Sequence, residues 1–353
     1  MDVHKDSIST AVLEAGSTTP VVDRMATDPE SVRRLIGRFD DPGRVWACYE
    51  AGPTGYELAR NLREAGMHCE VIAPSLIPTR QGDRVKTDRR DACRLAVLLR
   101  GSQLTSIRVP TVAEEGVRDL CRARADMVID RTRARHRLGK FLLRHGRTWR
   151  GGANWTMKHE AWVRSQRFDD PALNEVLAHY RATLTAREEA VERIEADLRP
   201  WCERAPFAAQ VHRMMAYRGV TELGGLTLAS EVCDWRRFPT AGRFMAFTGL
   251  TPSEYSSGGR TSRGGITHAG NGHLRTQLVE AAWSYRSRPA VGTTLRQRQE
   301  GLDPEVLARA WKAQLYLGAK FRRLDARKSN RKVVVTAIAR ELSGFLWAEM
   351  VTS

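Results

Sequence analysis

Residues 45–55 read Val45-Trp46-Ala47-Cys48-Tyr49-Glu50-Ala51-Gly52-Pro53-Thr54-Gly55. The apolar run is too short for a helix, and a Gly-Pro-Thr-Gly loop stops it at once. It reads as a short buried strand that ends on a carboxylate. Nothing local explains a glutamate in that place. In α/β folds the ends of strands are where active sites gather, so Glu50 is the first candidate functional residue.

The flanking sequence agrees with an α/β unit. Strands are expected at residues 7–13 and around Val21-Val22, and a helix over 29–39. After Glu50 come a helix over 54–65, a strand over 69–72 and a helix from about Asp88 to Arg100. Strands first, then alternation, suit a mixed sheet flanked by helices. Asp88 and Asp91 are three residues apart in Lys86-Thr-Asp-Arg-Arg-Asp91, so they share one helix face. With Asp2 and Glu50 they make four carboxylates. Converging carboxylates hold Mg²⁺ ions, which stabilise the attacking and leaving oxygens of a phosphoryl transfer. The alternative is local: Asp88 as an N-cap and Asp91 as a charge suited to the helix dipole. Arg84, Lys86, Arg89 and Arg90 surround the pair and suit a nucleic-acid backbone.

The whole chain sets wider bounds. Its 353 residues allow two or more domains, and 57 Lys+Arg against 41 Asp+Glu give a net charge of +16. That surplus calls for a polyanionic partner, with nucleic acid the leading class. No apolar run approaches the ~20 residues that span a bilayer, and no secretory leader is apparent, which argues against a membrane partner. The six cysteines are scattered without a C-x-x-C pair, which argues against zinc or a disulfide framework and for a reducing cytoplasm.

Residues 110–200 read as mostly helical. Between Arg122 and Arg150 there are ten Lys/Arg and two Asp, a net of +8 on one long segment. Within it Arg131, Arg133 and Arg135 could follow a phosphate backbone or form only a solvated face. Farther on, Leu177, Leu184, Val191 and Leu198 recur every seven residues, with Tyr180 and Ile194 on alternate positions. Such heptads support an antiparallel hairpin within the chain or a dimeric coiled coil, and the hairpin is the default. Pro200 to Pro206 marks a boundary. Beyond it, Arg218-Gly219 leads into a helix, as in hairpins that hold a DNA phosphate on backbone N–H groups.

Residues 251–260 read Thr-Pro-Ser-Glu-Tyr-Ser-Ser-Gly-Gly-Arg, and Arg263, Asn271 and Arg275 follow. A hydroxyl nucleophile beside two glycines, then Arg260 and Arg263, then a helix start near Asn271, would let a serine meet a phosphodiester. A Gly-rich surface turn followed by an ordinary cap is the plain alternative. The C-terminal part, about 296–353, is helical and basic and ends in an apolar helix.

Taken together, the chain resembles the bridge-RNA-guided insertion-sequence transposases. The resemblance rests on Asp2-Val-His-Lys-Asp6, Tyr49-Glu-Ala-Gly-Pro-Thr-Gly55, Lys86-Thr-Asp-Arg-Arg-Asp91, Phe247 to Gly259 and Ile266 to Arg275. These stretches occur in family order and cover nearly the whole chain. The resemblance implies an RNase H-like (RuvC-like) DEDD domain over 1–103, with Asp2, Glu50, Asp88 and Asp91 binding Mg²⁺. It implies a helical coiled-coil, RNA-binding and assembly region over 104–205. It also implies a mostly helical transposase domain over 206–353, with Ser257 as nucleophile and Ser256 as the runner-up. Lys86, Arg131, Arg133, Arg135, Arg260, Arg263 and Arg275 would contact nucleic acid.

The activity so implied is cutting and rejoining DNA through a serine-phosphate intermediate. A structured guide RNA would select donor and target DNA, and a homo-oligomer, dimer to tetramer, would work on the cytoplasmic nucleoid. Two departures stand out. Family members carry several residues before the first Asp, so either the true start lies upstream of Met1, the favoured reading, or the first strand is truncated and the acidic site impaired; and Arg218-Gly219 stands where Pro-Gly is common. A DNA invertase without guide RNA, a RuvC-type junction resolvase and a decayed nucleic-acid-binding transposase are the alternatives.

Overall fold

The computed structural model describes residues 1–78, 87–257, 259–327 and 330–352, with backbone only at 260 and 261. The chain divides into two units, Met1–Thr111 and Val112–Ser353.

The first unit is a mixed α/β layer. Strands β1 (Asp2–Val3), β2 (Ser7–Val12) and β3 (Val21–Ala26) form an antiparallel sheet. Strands β4 (Trp46–Glu50) and β5 (His68–Ile72) pair in parallel, and β6 (Ser106–Ile107) runs antiparallel to β5. The Met1 nitrogen donates to the Cys48 carbonyl at 2.7 Å, so β1 lies alongside β4 and joins the two sets of strands. The helices are α1 (Pro29–Ile36), α2 (Glu57–Glu64) and α3 (Asp88–Arg100).

Strand alternation divides the residues of β4. Tyr49 is fully buried with Ala59, Leu62 and Val71, whereas Cys48 packs with Ile72 and Leu95 under α3. Burying a side chain as large as Tyr49 contributes about 1.5–3 kcal/mol. The Tyr49 hydroxyl also donates to the Gly55 carbonyl at 2.9 Å, which ties the loop after Glu50 to its own strand. Gly55, with φ +69°, turns the chain there, so α2 starts at Glu57 and not at the expected residue 54.

The second unit is helical apart from one hairpin. Helix α4 (Val112–Arg144) packs along α6 (Pro171–Cys202), with α5 (Met157–Ser165) between them in sequence. The heptad residues Leu177, Leu184, Val191 and Leu198 are all buried, and they face α4 of the same chain. Pairs Arg124–Glu195 and Arg135–Glu188 cross the seam, and their order shows the helices to be antiparallel. Arg124 of α4 thus meets an acid on the facing helix.

Helix α8 (Glu222–Val232) is buried on every side from Gly224 onward, as expected of a helix that is apolar all round. Around it stand α7 (Ala208–Met215), α9 (Ala241–Phe247), α10 (Gly272–Ala282), α12 (Pro304–Asp325) and α13 (Arg331–Val351), with α11 (Thr293–Gln299) short and peripheral. The base of the α4–α6 hairpin (Val117, Cys121, Ile194, Leu198) belongs to the same core. One buried carboxylate locks three of these elements together. Glu349 receives Arg213 at 2.6 Å, Arg309 at 2.7 Å and the Tyr217 hydroxyl at 3.0 Å.

Candidate active site

Two groups of residues are candidates for the chemistry, one in each unit. In the first, β1 presents Asp2 and the turn after it presents His4. The turn is held by the His4 N–H on the Ser7 carbonyl at 2.9 Å and by the Thr27 hydroxyl on the His4 carbonyl at 2.9 Å. Across from them Asp88 opens α3. Thr87 is the N-cap of that helix, its hydroxyl accepting the Arg90 N–H, so capping does not account for Asp88. His4 Nε2 lies 3.3 Å from Asp2 Oδ2 and 3.6 Å from Asp88 Oδ1. One ligand atom from each of Asp2, His4 and Asp88 falls within 4.8 Å of the others. Among the described residues this is the one such set, and Glu50 and Asp91 are outside it. Both stay close in the fold. Glu50 ends β4 on the face of Cys48, which α3 covers, and Asp91 lies in the first turn of α3.

His4 was not among the sequence candidates. Its signal was there, because Asp-x-His on an extended chain sends both side chains to one side. Two carboxylates and an imidazole are donors that suit a divalent cation, so the residues fit a metal centre.

In the second unit, β7 (Pro252–Ser257) and β8 (Arg260–Ile266) form a hairpin that projects into solvent. Ser257 is opposite Arg260 at the turn, and Glu254 is opposite Arg263. Ser256 donates to Glu254 Oε1 at 2.8 Å, and Arg263 Nε donates to Glu254 Oε2 at 3.1 Å. The Ser256 hydroxyl and Arg263 guanidinium hold the exposed Glu254 carboxyl below its usual value. The Ser256 hydroxyl is thus engaged, while Ser257 is exposed and its hydroxyl has no hydrogen-bond partner among the described residues. Tyr255, which the sequence reading passed over, is 82% exposed on the same strand face as Ser257.

The hairpin is seated on a rigid base. Asn271 caps α10 by accepting the Leu274 N–H at 3.0 Å. Its amide donates to Glu231 Oε2 at 2.7 Å, and Arg122 grips the same carboxylate with two bonds of 2.7 and 2.9 Å. Burial pushes the Glu231 carboxyl up, but Arg122 and Asn271 outweigh it and hold the group below the usual value. Arg275 donates to the Thr248 carbonyl at 3.0 Å, next to Gly249. Gly270, with φ +108°, presses its Cα against the Phe247 carbonyl, where an added Cβ would stand at 2.1 Å.

The other basic candidates are distributed unevenly. Lys86 lies outside the described residues, and for Arg260 the backbone alone is described. Arg133 is an exposed residue paired with Asp130, and Arg131 is half-buried. Arg135 is held by Glu188 at 2.6 Å and stacks on Trp155. Gly219, expected in a phosphate-binding hairpin, packs its Cα on the Ala281 carbonyl instead.

Against known proteins, a model of the IS110-type DEDD transposase matches residues 1–146, and one described as "Transposase IS116/IS110/IS902 family" matches residues 211–295. The chain is 42% identical to the putative transposase y4qE of Sinorhizobium fredii, over 99% of its own length and 87% of that protein's. It belongs to the IS110/IS116/IS902 family of transposases. It is also similar to the transposase for insertion sequence element IS1533 of Leptospira borgpetersenii, at 31% identity over 93% of this chain and 96% of the relative. A third relative is the transposase for insertion sequence element IS1328 of Yersinia enterocolitica, 25% identical over 65% of this chain. An IS110-family transposase is an enzyme that cuts and transfers DNA, and its DEDD domain points to a divalent metal ion. The basic balance of the sequence fits that DNA partner. Among the described residues no helix is long and apolar enough to cross a membrane.

Proposed function

We propose that this IS110-family transposase cuts DNA with Ser257 and that Asp2, His4, Asp88, Glu50 and Asp91 form an RNase H-like Mg²⁺ site. The observation that carries the proposal is the contrast between two adjacent serines. Ser256 is tied to Glu254, whereas Ser257 stands exposed at the hairpin tip facing Arg260 in register. A serine hydroxyl is a weak nucleophile until its proton is taken.

In the proposed step the Ser257 Oγ–P bond forms and one P–O bond to a deoxyribose breaks. The proton leaves Oγ, and the released sugar oxygen is protonated. A hydroxyl of the partner strand then attacks the phosphoserine, restoring the serine and sealing the new joint. Mg²⁺, when bound, supplies Lewis-acid stabilisation of the charge on the phosphate oxygens. Asp2 and Asp88 would hold it with His4 beside them, and Arg263 would neutralise charge near the serine. A structured guide RNA would choose the DNA sites by base pairing. A homo-oligomer, dimer to tetramer, would bring the acidic centre of one subunit to the serine of another.

The deciding experiment incubates the protein with its element-end DNA in Mg²⁺ and separates products under denaturing conditions after protease treatment. The parent and Ser256→Ala proteins should give a peptide-linked DNA strand and Ser257→Ala should give none. An adduct that persists in Ser257→Ala and vanishes in Ser256→Ala would reassign the nucleophile.

A further inference from the structure

At the far end of the α4–α6 hairpin from its shared core, a cleft of about 280 Å³ opens between α4, α5 and the loop joining them. Three indoles line it, from Trp149, Trp155 and Trp162, together with Lys140, Arg135 and His159. Trp149 and Trp162 have ring centroids 5.6 Å apart at 46°, so they do not stack flat on each other.

The walls are fixed in place. The Trp149 indole lies over Gly151, where an added Cβ would come within 2.3 Å of the ring, and its Nε1 donates to the Gly152 carbonyl at 3.1 Å. Trp155 adopts φ +61°, an unusual conformation for a bulky residue, and such strain persists only where the surroundings enforce it. Here the Trp155 N–H donates to His159 Nδ1 at 3.1 Å, and the Arg135 guanidinium sits 5.0 Å from the ring centroid.

His159 is the most telling residue. It is only 6% exposed, and its Nδ1 is taken up as an acceptor. Burial lowers its pKa, against a smaller opposing pull from Glu160, so near neutral pH the ring is uncharged and carries its proton on Nε2. That Nε2–H has no hydrogen-bond partner among the described residues, and the ring lines the cleft. A donor open to the cleft with no protein partner among the described residues, aromatic faces and a lysine at the edge are complementary to one kind of ligand. It must be flat, carry acceptors on its edge and be joined to a phosphate.

We infer that this cleft receives one unpaired nucleobase of a single-stranded nucleic-acid segment. Trp149 stacks on the base, His159 Nε2 donates to its edge, and Lys140 meets the adjoining phosphate. The inference rests on the chain acting on nucleic acid as a transposase, and it is independent of which serine attacks. A duplex does not fit, because its bases are already stacked; single strands are held by such aromatic platforms beside basic groups.

The test uses the full chain with short single-stranded RNA and DNA oligonucleotides carrying 2-aminopurine, and the matching duplexes. The parent should quench the probe in a single strand but not in a duplex. Trp149→Ala should lose the quench and weaken single-strand binding by roughly 5- to 150-fold. Gly151→Ala, which displaces the indole without removing it, should also lose the quench. Lys140→Ala should weaken binding yet keep the quench at saturation. Quenching with RNA alone would assign the cleft to a guide RNA, and quenching with DNA alone to an unpaired DNA strand; either outcome supports the site. Absence of quenching in the parent, or parent-like quenching in both Trp149→Ala and Gly151→Ala, overturns it. Circular dichroism melts check the fold of each variant. No cleavage is read, so failure here leaves the Ser257 assignment standing, and failure of that assignment leaves this one.

Discussion

Asn271 and Glu231 share a hydrogen bond of 2.7 Å although they are 40 residues apart, and Asn271 simultaneously caps the helix that follows the serine hairpin. One side chain thus joins the seat of the candidate nucleophile to a buried carboxylate that α4 also grips through Arg122. Asn271→Ala should cost about 1–3 kcal/mol in chemical denaturation, from a lost cap and a weakened buried acceptor. Asn271→Asp keeps the capping oxygen but sets a carboxylate against Glu231, so it should be no more stable than Asn271→Ala. An aspartate variant of parental stability would show that the bond to Glu231 contributes nothing.

Glu349 is fully buried, and its carboxylate satisfies Arg213, Arg309 and Tyr217 together. Glu349→Ala leaves two cations and a phenol without their acceptor, and removing one member of such a set typically costs about 3–5 kcal/mol. A thermal melt would register the loss as a large drop in midpoint.

Acid should unfold the second unit through the same two carboxylates. Burial pushes both Glu231 and Glu349 upward, but hydrogen bonds and charge from their arginines win, so each titrates below its ordinary 4.5 when folded. A depressed folded pKa gives stability that is fully present above 4.5 and is lost as pH falls through the folded value. Denaturation midpoints should therefore be flat above that pH and decline below it. Replacing Glu349 by Gln should make the decline shallower.

On the proposed metal reading, Mg²⁺ should raise the melting midpoint of the parent, because an ion bound only by the folded chain adds about 2.7 kcal/mol at 100 times its Kd. Asp2→Asn and Asp88→Asn should abolish the increase, and His4→Ala should reduce it. An unchanged Mg²⁺ response in Asp88→Asn would exclude the cluster as the binding place.

Two glycines of similar backbone conformation should respond very differently to alanine. Gly16, with φ +82°, has nothing within 4 Å of an added Cβ, so Gly16→Ala should cost only about 1 kcal/mol of backbone strain. Gly270→Ala adds a clash with the Phe247 carbonyl, which also accepts the Asn271 N–H at 3.0 Å. It should destabilise more and disturb the hairpin seat. Equal midpoints for the two variants would contradict this account.

The legible parts of this molecule were those written in short-range pattern. The strand ending at Glu50, the helix opening at Asp88 and the burial of Leu177, Leu184, Val191 and Leu198 all follow from local periodicity. The start of α10 followed from Asn271, whose side chain needs only its own helix to act as a cap. Arg135 and Arg275 show where such reading stops. Both look like free phosphate ligands in a basic run, yet the fold gives one to Glu188 and the other to the Thr248 carbonyl.

By itself, the sequence determined the strand that ends at Glu50, the helix that opens at Asp88 and the long helices of the middle region, and that acids lie at one end of the chain and a serine followed by glycines and arginines near the other. Tertiary structure alone decided that His4 joins Asp2 and Asp88, that Ser256 is tied while Ser257 is not, and that Glu231 and Glu349 are held in charge networks. The division has a physical cause. Periodicity and capping act over a few residues, whereas a buried charge finds its partner only where packing brings distant segments within hydrogen-bond reach.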